Sequence, residues 1–191
     1  MATAPDAHVL HNRHTGEHLA LRRVRRGGEV WLELKGTLPP HSEGPPLHIH
    51  YRAVEEGTII AGTLSAVSDG REVQAAAGQS ARFEAGTAHR WWNAGNKTLV
   101  FEGYAKPALD LDLYLQAVFE VINSGPPGRP SLFYMAHASW RHRQNQAVLI
   151  MPVWLQAVIL PLIVGLGTVL GRYRGTEWPG CPARCRPAPL V

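Results

Sequence analysis

The chain has 191 residues, 45% apolar and 18% charged, with a formal net charge of +4. That is the composition of a globular protein with one ordinary domain and a tail. The charge is too modest, and its one dense cluster (Arg22 to Arg26) too much a solvated strand face, for a nucleic-acid partner.

The opening stretch "MATAPDAHVLHNRH" holds no apolar run, so no secretory leader is expected, and 1–16 reads as an N-terminal segment. From 17 to 107 the pattern is about nine short apolar segments separated by turn signals. "HLALRRV" and "EVWLELKG" alternate about "RRGGE". "SDGR" reads as a tight hairpin and "NAGNK" as a longer turn. So many short strands favour a sandwich or barrel.

The period then changes. "ALDLDLYLQAVFEVINSG" places Leu111, Tyr114, Leu115, Val118, Phe119 and Ile122 at helical spacing and ends in Ser-Gly. "PPGRP" breaks the chain, and "SLFYMAHASWRHRQ" predicts a further helix, so 108–145 is a helical extension. From 146 to 171 the chain is almost wholly apolar. As one helix, 147–170 would be about 36 Å long, enough for a hydrocarbon layer of about 30 Å. It predicts a single C-terminal membrane anchor, with the barrel on the cytoplasmic face. Pro152, Pro161 and Gln156 fit another form: two short helices, bent at a proline, covering the barrel or a second copy in a soluble cytoplasmic protein. The last segment, 172–191, is expected to be disordered. Its two cysteines, Cys181 and Cys185, give no disulfide framework and point to a reducing compartment. One C-x-x-x-C pair also lacks two of the ligands that zinc needs.

The chemistry lies in the histidines. In "PPLHIHYRAVEEG", His48 and His50 are two apart, so on a strand they project to one side, and Glu55 can return to them across a short turn. His89 starts a later strand in "GTAHRWWN". Three imidazoles and a carboxylate suit a divalent transition metal and leave positions open for water, substrate or dioxygen. Glu55 is preferred to its neighbour Glu56, which should point elsewhere. The second cluster, His8, His11, His14 and His18, is read as structural. Alternation in "RWW" sends one of Trp91 and Trp92 into the barrel and the other out.

Two motifs in this region resemble those of the cupin superfamily. His48, His50, Glu55 and Gly62 fit the first, G-x5-H-x-H-x3,4-E-x6-G. Gly78, Gly86, His89 and Asn93 fit the second, G-x5-P-x-G-x2-H-x3-N. Ser42 and Glu84 replace a usual glycine and proline. Gly57 stands where relatives often carry an aromatic residue, which would widen the cavity. At lower specificity, "NRHTGEHLALRR" and the helix after the barrel resemble a group of small bacterial cupin proteins. The resemblance implies a mainly β fold, a double-stranded β-helix or jelly-roll barrel followed by C-terminal helices. It implies metal ligands at His48, His50, Glu55 and His89, with iron, manganese or nickel ahead of zinc. Glycines 62 and 86 would take positive φ, and Asn93 would hold a loop. The expected activity is that of a metal-dependent oxygenase or isomerase on a small organic molecule, or else of a non-catalytic module that binds or senses a small ligand. A homodimer formed through the sheets is a further expectation.

Overall fold

The computed structural model describes residues 7–191. The leader reading therefore falls partly outside the described residues. The barrel is built from β1 (His8–His11), β2 (His18–Arg26), β3 (Glu29–Leu38), β4 (Ser42–Glu43), β5 (His48–His50), β6 (Val54–Ala61), β7 (Thr63–Ser68), β8 (Arg71–Ala76), β9 (Ser80–Phe83), β10 (His89–Asn93) and β11 (Leu99–Lys106). Then follow α1 (Leu111–Ser124), α2 (Leu132–His142), β12 (Gln146–Val148) and α3 (Val153–Val169).

One sheet runs β1-β2-β3-β11-β6-β9 and the other β12-β5-β10-β7-β8, with β4 beside β10. The paired strands are antiparallel, as a jelly roll requires. The turn signals act as read. Gly27 and Gly28, and Asp69 and Gly70, all have positive φ, so the β2–β3 and β7–β8 hairpins close in two residues. At Gly62, with φ of 79°, a Cβ would meet the Thr98 carbonyl oxygen at 2.7 Å, so the β6–β7 corner admits only glycine. Alternation puts Leu21, Leu32, Leu38, Ile59 and Leu99 between the sheets, fully buried, against Leu64, Ala66 and Trp91. Trp91 packs edge-on to Phe101, while Trp92 turns out under Arg90.

The Arg22–Arg26 face is not merely solvated. Arg23 crosses to α1, where its Nε donates to Asp112 at 2.8 Å and its Nη2 to the Leu109 carbonyl at 2.8 Å. Asp112 is fully buried and also accepts the Ala188 backbone N–H. It sits in the first helical turn, where the helix dipole favours a negative charge.

Three histidines of the N-terminal cluster make contacts within the fold. His14 Nε2 lies 3.1 Å from the carbonyls of Ile122 and Gly125 at the end of α1, and His11 stacks on His18.

The continuous helix expected over 147–170 is not formed. Residues 146–148 pair with β5 instead, and the helix begins after Pro152. The Gln156 amide closes the bend by donating to the carbonyls of Val148 and Met151. Gly171, at positive φ, ends the helix, with Arg172 N–H bonded back to Gly167. The 17 residues of α3 span about 26 Å, and among the described residues no helix is long and apolar enough to cross a membrane. Trp154, Val158, Leu162 and Leu166 form an exposed row along it.

The segment 172–191, expected to be disordered, is packed. Trp178 is buried among Tyr134, His137 and Tyr173, and Cys185 lies against Ala117 and Ala138. Leu190 forms a parallel bridge with Arg23 at the edge of β2. Burial pushes the Cys185 thiol up to about 11, and both cysteines are free and buried.

Candidate metal centre

His48 and His50 share a face of β5, and His89 stands directly opposite His48 on β10. Glu55 comes from β6, which belongs to the facing sheet. Glu55 returns to the histidines as expected, but not within their sheet: the chain crosses between sheets after His50, and the carboxylate enters from the opposite wall. Gly86, at positive φ, makes the turn before His89, and its N–H donates to the His50 carbonyl at 2.8 Å.

One donor atom from each of His48, His50, Glu55 and His89 lies within 4.8 Å of the others, a group that could hold a metal ion. Glu55 Oε2 is 3.4 Å from Nε2 of both His50 and His89. Ligand distances of about 2.0–2.2 Å place neighbouring donors about 3.0–3.5 Å apart, so a small contraction closes the set on one ion.

Two of the imidazoles are held for that role. Nδ1 of His48 donates to the Pro46 carbonyl at 2.8 Å, and Nδ1 of His89 to the Thr87 carbonyl at 2.9 Å. A carbonyl can only accept, so each ring keeps its proton on Nδ1 and presents a bare lone pair at Nε2. Phe83, paired with Glu55 in register, stacks on the His89 ring at 4.3 Å and 5°.

Burial, reinforced by the neighbouring His50 and His89, pushes His48 down to about 3, so it is neutral at physiological pH. For Glu55 burial works upward, but the His50 and His89 imidazoles, each 3.4 Å from Oε2, outweigh it and hold the carboxyl well below the usual range. The donor set fits a divalent transition metal on chemistry and geometry alike.

The other motif residues behave as read. Asn93 is fully buried, its Nδ2 within bonding distance of the Leu38, Pro39 and Lys97 carbonyls and its Oδ1 accepting from Gly95, so it fastens the β10–β11 loop. Glu56 points away, to Arg82 and the Tyr104 hydroxyl.

Gly57 does not widen the interior much. Phe101 fills the space, and the cavity beside Glu55 measures about 20 Å³, room for one water. Sequence reasoning missed Phe83 and the carbonyls of Pro46 and Thr87. The alternation in "SARFE" carried a signal for Phe83, whereas backbone acceptors leave none.

Residues 34–105 match the Cupin_2 family, described as a cupin domain. Residues 34–105 form a cupin domain. A curated relative, "Oxidoreductase iacF" of the fungus Pestalotiopsis fici, is 38% identical over 79 residues, 40% of this chain and 39% of that protein. The chain thus spans about two fifths of the length of the curated relative it matches. Among solved structures it is similar to the cupin domain of Schizosaccharomyces pombe Cnp3 (10% identity, TM-score 0.43, 55% of this chain and 72% of that one). It is also similar to a predicted oxalate decarboxylase of Thermotoga maritima (22%, TM-score 0.40, 55% and 97%). A third likeness is to a putative sugar phosphate isomerase of Acidithiobacillus ferrooxidans (18%, TM-score 0.38, 45% and 58%).

Proposed function

We propose that the cupin holds one divalent transition metal through His48, His50, Glu55 and His89, and with it converts a small organic molecule by oxygenation or isomerisation. The observation that carries this reading is the convergence of the four donors from both sheets, with two imidazoles fixed by carbonyls at Nδ1. A nitrogen-rich set with one carboxylate favours iron, manganese or nickel, with zinc also accommodated.

Such a metal would supply a Lewis acid for a developing oxyanion and, where redox-active, a route for one-electron chemistry. The chain's own groups prepare the site. His48 and His89 keep their protons on the outward nitrogen. Glu55 stays ionised and brings the one negative charge. Phe83 shields the His89 ring and keeps water from its face. The oxidoreductase name of the curated relative supports the oxidative branch.

A second reading, a module that binds or senses a small ligand without turnover, is favoured by the lining of the cavity beside Glu55, whose one other titratable group, Glu56, is engaged by Arg82 and the Tyr104 hydroxyl.

The test is turnover by metal-loaded protein on a panel of small oxidisable and enolisable acids, with dioxygen uptake and proton NMR followed together. Conversion that disappears in Glu55→Gln and His89→Ala supports the enzyme. A folded, metal-loaded protein that converts nothing supports the binding module.

A further inference from the structure

The C-terminal extension encloses a cavity of its own. α2, β12 and the first half of α3 surround about 140 Å³, and none of His48, His50, Glu55 and His89 lines it. A cavity of about 150 Å³ takes up a benzene ring. The walls are aromatic at Tyr51, Tyr114 and Trp140, and no carboxylate is among the lining residues.

Two polar groups there lack a partner that suits them. Gln146 is 5% exposed, and its Nε2 is buried with no hydrogen-bond partner. Such a donor keeps its full desolvation cost while unpaired, a cost that an acceptor on a ligand removes. The contrast with Gln156, whose amide is bonded to two carbonyls, is direct. Arg143 lies over the Trp140 ring, its Cζ 3.7 Å from the centroid, and spends one N–H on the Trp140 carbonyl. Among the described residues no acidic side chain pairs with it, and it is an exposed member of the cavity lining with donors left for an anion.

We propose that this cavity binds a single-ring carboxylate of benzoate size, its ring among Tyr51, Tyr114 and Trp140 and its carboxylate taken by the Gln146 amide and the Arg143 guanidinium. The site does not depend on the metal reading. It does abut the metal centre, because Gln146 stands opposite His50 and Val148 opposite His48 in the pairing of β12 with β5.

The probe is sodium benzoate, with benzyl alcohol as the same ring without charge and acetate as the charge without the ring. Each is titrated into the full chain, once stripped of metal by chelation and once metal-loaded, with heat and the Trp140 indole resonance as readouts. Benzoate binds both preparations with a Kd of about 1 mM or tighter, and the other two at least about tenfold more weakly. Arg143→Gln, at an exposed position, weakens benzoate about tenfold and leaves benzyl alcohol unchanged. Ser139→Leu fills the cavity and removes both. The site is overturned by equal affinity for benzoate and benzyl alcohol, by benzoate binding that survives Ser139→Leu, or by no binding at about 10 mM. Binding confined to the metal-loaded protein would place benzoate in the barrel and overturn it equally.

Discussion

Glu17 shows what a single buried group does to the whole. It is a buried carboxyl, 8% exposed, and burial pushes it up to about 7. Its pKa is higher folded than unfolded, so the folded chain binds the extra proton between about 4.5 and 7. Stability from this group is therefore full below 4.5 and lost as pH rises through 7, by about 3 kcal/mol in all. Glu17→Gln should raise the urea midpoint at pH 8 and leave it nearly unchanged at pH 4. Equal effects at both pH values would contradict the burial account. His48 works the other way. Its pKa is depressed on folding, so its contribution is present above about 6.5 and is lost as pH falls toward 3.

At the level of elements, the tail and α1 are fastened to the barrel by one buried carboxylate. Asp112 takes Arg23 from β2 and the Ala188 amide from the tail. Asp112→Asn leaves the Arg23 guanidinium half-buried without its counter-charge and should cost about 3 kcal/mol or more in chemical denaturation. A loss under about 1 kcal/mol would show that the clamp is solvent-screened. The backbone extends the clamp. Arg23 N–H donates to Pro189 and Arg25 N–H to Val191. Cutting the chain after Arg186 should therefore speed hydrogen exchange at the Arg23 and Arg25 amides and leave those of β11 protected. Unchanged exchange at Arg23 would mean that the tail does not pair there.

For the molecule as a whole, legibility followed locality. The H-x-H pair, the hairpins at Gly27-Gly28 and Asp69-Gly70, and the split between Trp91 and Trp92 are set within a few residues, and they are visible in the sequence. What was hidden depends on distant partners. Nothing in "YRAVEEG" tells that Glu55 belongs to the other sheet, because a strand's alternation is the same in either. The run 146–171 hid a strand, since Gln146, Ala147 and Val148 become β12 only when the free edge of β5 is there to accept them. The tail reads as polar and proline-rich, yet Trp178 and Cys185 are buried by α1 and α2.

All the chemistry assigned to the barrel depends on four side chains from two sheets sharing one ion. Isothermal titration of the chelator-stripped full chain with manganese, nickel and zinc, beside His89→Ala and Glu55→Gln at matched secondary structure, measures that directly. The account predicts one site per chain in the wild type, at least about tenfold weaker in either variant. No saturable site in a folded wild-type chain, or variants that bind as tightly, would contradict it.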